Sequence, residues 1–144
     1  MNIFILHKVF AIVAFTTIVI FWLSTLTVEL FLTNEVITFI KSLIVKPGLF
    51  ILIPSIIITG ITGVIISKKS NKKELITKKK KRMPIIAILG VFVLLPSAIY
   101  LDILASQQIF NIKFYMVQIL ELVAGAINIT LMFLNIRDSK NIKN

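Results

Sequence analysis

The residues best able to do chemistry lie on the last long apolar stretch of the chain. Gln118, Glu121, Gly125, Asn128, Met132 and Asn135 recur at spacings of 3, 4, 3, 4 and 3, which places them along one face of an α-helix. The residues between them are Ile, Leu, Val, Phe and Ala, with Thr130 as the polar exception. Glu121 stands seven positions beyond Phe114, about 10 Å along a helix axis. A carboxyl group at that depth in a bilayer is a functional-site hypothesis by default. Two readings of the stripe are open. It is polar glue between helices, or it is a binding or proton-handling site with Glu121 as the protonatable group in a path lined by Ser55, Ser97 and Asn128.

A second polar layer is expected at a similar depth. Pro54-Ser55 and Pro96-Ser97 stand in two different apolar runs, and Ser24 and Thr25 occupy a matching level in the first. A proline inside a helix frees a backbone carbonyl, which a neighbouring hydroxyl or water can satisfy. Thr59, Gly63 and Ser67 make a small-residue ridge suited to close helix packing. His7 is the one histidine and so could supply one axial haem ligand, with another residue or subunit supplying the second; the plainer reading is an interfacial side chain with no ligand role. Lys78, Lys79, Lys80, Lys81 and Arg82 form a run able to meet anionic lipid head groups.

Several chemistries are excluded. The chain has no cysteine, which removes disulfides, thiolate metal sites and cysteine nucleophiles. With a single histidine, a zinc site of three or four side chains is not expected, and no metal is assigned. No glycine-rich phosphate loop and no nucleophile with its base can be found, so no catalytic residue is assigned.

The elements that must position these residues are membrane helices. The 144 residues are 58% hydrophobic, with a mean hydropathy of +1.00, well above the roughly 45–50% apolar content of a soluble domain. Apolar runs at 9–28, 47–67, 83–101 and 114–136 are each close to the ~20 residues that cross the hydrocarbon of a bilayer as a helix. No alternating ten-residue pattern suggests a β-barrel. The reading is an all-α, integral membrane four-helix bundle forming one transmembrane domain over residues 1–144. The first run is longer than a signal-peptide core and lacks a small-x-small cleavage site, so it is read as retained. Between the first two spans, residues 34–46 read as a short amphipathic helix lying at the outer interface, with Asn34 as its N-cap and Glu35, Thr38, Lys41 and Ser42 on its polar side; a continuous tilted helix with the second span is the alternative. Pro47 is expected to break or kink it.

The net charge of +10 is concentrated rather than spread. Nine basic residues fall within the loop expected at 68–82; Lys8, Arg137, Lys140 and Lys143 join them on one side, making thirteen, against Lys41, Lys46 and Lys113 on the other. That bias puts the loop and both termini in the cytoplasm. A nucleic-acid binder would display its basic residues on a folded face; none is expected here, and the bilayer is the partner that composition implies.

Leu6-His7-Lys8 opening the first of four apolar spans, together with Lys81-Arg82-Met83-Pro84 and the ending Leu134-Asn135-Ile136-Arg137-Asp138, resembles small four-helix proteins of the bacterial inner membrane. The layout is similar to the copper-resistance-D-like and cytochrome-b561-like bundles. That resemblance implies a bacterial cytoplasmic membrane and, through His7, b-type haem. It lacks the further membrane histidines that haem-binding members use.

The leading functional expectation is a non-catalytic accessory or assembly subunit, acting through helix contacts as a homo-oligomer or with other membrane subunits. The alternatives are electron transfer with haem or quinone, and proton or small-solute movement through Glu121.

Overall fold

The computed structural model describes residues 2–69 and 73–143, with side chains described for 2–69 and 81–138. It is helical throughout, and no strand occurs among the described residues. Helix α1 (Ile3–Phe31) is capped by the Asn2 side chain, which accepts from the Phe4 amide. It runs past the expected end at residue 28 because Glu29, a charge, is accommodated inside the bundle.

Helix α2 (Asn34–Leu43) follows, with Thr33 rather than Asn34 in the extended N-cap position. A π-helical turn (Ile44–Gly48) then leads into α3 (Leu49–Lys69). Lys46, at φ −135° and ψ 114°, is extended there. Pro47 has no N–H with which to continue the helical ladder, which accords with the break. The expected kink is therefore present, and it lets α2 fold back against α5 and α1.

The segment expected as a basic loop is mostly helix. Helix α4 (Lys73–Ile88) begins within it, continues through a second π-helical turn (Leu89–Leu94), and runs into α5 (Leu95–Ser106). That π turn precedes Pro96, whose missing N–H cannot complete the regular ladder. After a left-handed residue at Gln108 (φ 57°), α6 (Ile112–Lys143) closes the bundle.

Four helical segments are long and apolar enough to cross a bilayer: α1, the α2–α3 unit, residues 81–106 and residues 112–138. The protein is thus a multi-pass, all-helical membrane bundle. Two apolar clusters hold it together. One, towards the basic end, contains Ala14, Ile18, Leu52, Ile86 and Met132. The other, at the far end, contains Val28, Ile37, Leu101, Ala105 and Phe114. Large apolar side chains such as Phe50, Phe92 and Ile119 cover the outside, where lipid would meet them.

Candidate functional site

Between the two apolar clusters lies a polar layer contributed by α1, α2 and α6. The stripe on α6 turns into the bundle: Gln118, Asn128 and Met132 are buried, as is Gly125. Glu121 is mostly buried, its side chain 14% exposed. Asn135 is half-buried near the basic end.

Facing Glu121 is Lys41 of α2, a residue that the sequence pattern assigned to the polar outer side of the amphipathic helix. The structure corrects that assignment. Lys41 is 1% exposed, and its ammonium donates to Gln118 Oε1 and lies 3.6 Å from Glu121 Oε1. Ile37, Lys41 and Ile44 form the buried ridge of the segment, while Glu35 and Ser42 face outward. Lys113, on the same helix two turns before Glu121, is exposed. No ion pair joins it to Asp102 among the described residues.

Glu29 on α1 lies within electrostatic reach of both Lys41 and Glu121, and Thr25, one turn earlier on the same face, is 1% exposed. Thr25 is read from the sequence together with Ser24 at this level; Glu29 is not singled out there. The layer is incompletely satisfied from within the chain: Thr25 Oγ1, Glu29 Oε1, Gln118 Nε2 and Glu121 Oε2 are buried without hydrogen-bond partners.

Next to this layer is a cavity of about 150 Å³. Its walls come from every span: Ile18, Phe21 and Trp22 from α1, Leu52 and Ile56 from α3, Gly90 and Leu94 from the second π turn, and Glu121, Gly125 and Asn128 from α6. Glu121 and Asn128 are the polar side chains in an otherwise apolar wall, apart from the indole N–H of Trp22, which donates to Leu122 O at 2.8 Å. Asn128 is 0% exposed, and neither its Oδ1 nor its Nδ2 has a partner. Gly125 matters because a β-carbon there would stand 2.9 Å from Trp22 Cδ1. The missing side chain lets the indole lie flat on α6.

The serines do not join this cavity. Ser55 is buried, but its hydroxyl donates to Ile51 O one turn back in α3, close to the gap that Pro54 creates. Ser97 is buried and Ser24 half-buried, and neither contributes to the cavity wall. Thr25, one residue on, takes the inward position expected of Ser24.

His7 lies away from the cavity. Its Nδ1 is 3.1 Å from Thr59 O and 2.9 Å from Thr62 Oγ1, and its ring packs where a side chain at Gly63 would be. It ties α1 to α3. The residues here do not fit a haem: the histidine does not face the cavity, and the cavity has the volume of a single ring rather than of a porphyrin. No cluster of three or more His, Asp or Glu side chains suited to a metal occurs among the described residues.

At the basic end, Arg82 donates to Asp138 Oδ2 at 2.6 Å and to Asn135 Oδ1 at 3.4 Å. Arg82, expected to meet lipid head groups, is thereby engaged with α6. Lys81 is exposed; the side chains of Lys78, Lys79 and Lys80 lie outside the described residues.

Comparison with protein-family models, with curated proteins and with solved structures finds no match. Fold and site together define a class, a multi-pass helical membrane bundle with a charged, partly unsatisfied interior. The functional reading rests on that interior alone.

Proposed function

We propose that this is a non-catalytic membrane binding protein that takes a small, largely apolar molecule from the bilayer into the cavity between its helices. The observation that carries the reading is Asn128, a fully buried carboxamide with no partner at either atom, set in the wall of an apolar cavity. Leaving such a group unpaired costs about 1–3 kcal/mol. Its retention there is explained if a ligand supplies the missing hydrogen bond. The volume matches engineered apolar cavities of about 150 Å³, which stay dry and accept benzene, so a ring-sized group is the natural occupant. The π turn that forms one wall fits this reading, because such turns concentrate at functional sites.

A role through helix contacts, as an accessory subunit or homo-oligomer, would have to use the outer apolar faces, because the polar stripe is turned inward. In the oriented membrane, the thirteen-to-three bias of basic residues supports placing the basic end in the cytoplasm, within the cytoplasmic membrane of a bacterium.

Trp22 is the sole tryptophan and lines the cavity, so its fluorescence is a direct probe. In nanodiscs, benzyl alcohol is expected to change the emission of Trp22 saturably. Gly90→Leu, which places a side chain into the cavity beside Asn128, is expected to abolish that change. An unchanged response in Gly90→Leu, or a merely linear response in the wild type, would count against the site.

A further inference from the structure

Resting on the binding reading above, we propose that the cavity selects hydrophobic amines, molecules with a ring-sized apolar body and one protonated nitrogen placed against Glu121. Three observations converge. Glu121 is the one ionisable residue in the cavity wall, and while its Oε1 faces Lys41, its Oε2 is buried without a partner. A carboxylate oxygen in that state accepts hydrogen bonds and donates none; Gln118, in the same layer, already acts on this carboxyl group, and an N–H or O–H of the occupant would satisfy the oxygen that stays unpartnered.

Charge gives the preference between those donors. Glu29 and Glu121 surround the single ammonium of Lys41, and each acts electrostatically on it. With all three ionised, two negative charges face one positive charge, leaving one negative charge uncompensated within the apolar interior. Such a residual charge is costly to hold there. A ligand ammonium restores neutrality at the place where the free oxygen lies; an alcohol supplies the hydrogen bond without the charge.

The aromatic wall adds to this. Trp22 and Phe21 line the same cavity, and the face of an aromatic ring, indole above all, attracts a cation. Asn128, on the same face two turns further along at i+7 from Glu121, remains free to pair with a second polar atom of the ligand.

The test uses matched single-ring probes, benzylamine, benzyl alcohol and phenylacetate, titrated against the Trp22 emission of the full chain in nanodiscs of neutral lipid at pH 7. Benzylamine is expected to bind at least tenfold more tightly than benzyl alcohol, and phenylacetate not to bind. Glu121→Gln is expected to erase the preference for the amine, so that benzylamine binds no more tightly than benzyl alcohol to the variant, with its fold checked by circular dichroism. If wild-type protein binds benzyl alcohol as tightly as benzylamine, the amine inference is overturned and a proton is the better neutralising charge, while the binding reading stands. If neither probe saturates, both are overturned. The comparison within wild-type protein decides the matter even where Glu121→Gln does not fold.

Discussion

The ammonium of Lys41 lies 3.6 Å from Glu121 Oε1 and donates to Gln118 Oε1, joining the folded-back helix α2 to the polar face of α6 inside an apolar bundle. Both partners are needed for either to stay buried, because removing one strands the other. Lys41→Met is therefore expected to destabilise the fold by about 3–5 kcal/mol, as for other broken buried pairs. The double variant Lys41→Met/Glu121→Gln removes both charges and is expected to be more stable than Lys41→Met alone. Unfolding in mixed micelles with rising SDS measures each variant. Additive losses in the cycle would mean that the two groups do not interact.

Asn128 leads to the opposite expectation. Its amide has no partner within the chain, so replacing it with Leu removes a desolvation penalty of about 1–3 kcal/mol. Asn128→Leu should raise the thermal midpoint of the ligand-free protein, followed by circular dichroism in detergent, while weakening probe binding about tenfold. A fall in stability would show that the carboxamide is satisfied in the membrane and would remove the main support for the binding reading.

The course of these elements explains what the sequence revealed and what it hid. The α6 stripe was legible because a helix repeats every 3.6 residues, so the spacing of Gln118, Glu121, Gly125 and Asn128 already placed them together. Lys41 was not, since in a ten-residue amphipathic helix a lysine beside Glu35 and Ser42 reads as solvent-facing. The fold-back at Lys46-Pro47, a tertiary feature, is what turns it inward. Glu29 was hidden for a related reason: a charge at the end of an apolar run reads as the end of the span, whereas here it lies within electrostatic reach of Lys41 and Glu121 on other helices. The spacing of Thr25 and Glu29, four residues apart on one face, was the signal available. The basic segment read as loop because charge masked helix-forming Lys, Leu and Ile.

Trp22 and Gly125 give a local test of packing. A β-carbon at position 125 would meet Trp22 Cδ1 at 2.9 Å, the ring atom next to the Nε1–H that is anchored to Leu122 O. Gly125→Ala must displace the ring, and overpacking of this kind costs about 1–3 kcal/mol. The displaced indole loses its hydrogen bond, so its emission maximum should shift and the benzyl alcohol response should weaken. Unaltered emission would mean that α6 and α1 separate easily at this level.

The Arg82–Asp138 contact closes the basic end of the bundle. Asp138 is 4% exposed and Arg82 17% exposed, and Asn135 shares the same guanidinium, so α4 is held to the last described turns of α6 by a partly desolvated, charge-assisted pair. Hydrogen bonds of this type contribute about 1.5–3 kcal/mol. Asp138→Asn keeps the shape and removes the charge, and it should cost stability within that range. Its clearer signature is local: hydrogen exchange of the α4 amides near Arg82 should accelerate, while the amides around Lys41, in the far half of the bundle, keep their protection. Arg82→Gln should reproduce the pattern, and combining the two should add little, since each alone already breaks the pair. If exchange instead rises evenly across the bundle, the contact acts on global stability and is not a clasp of one end.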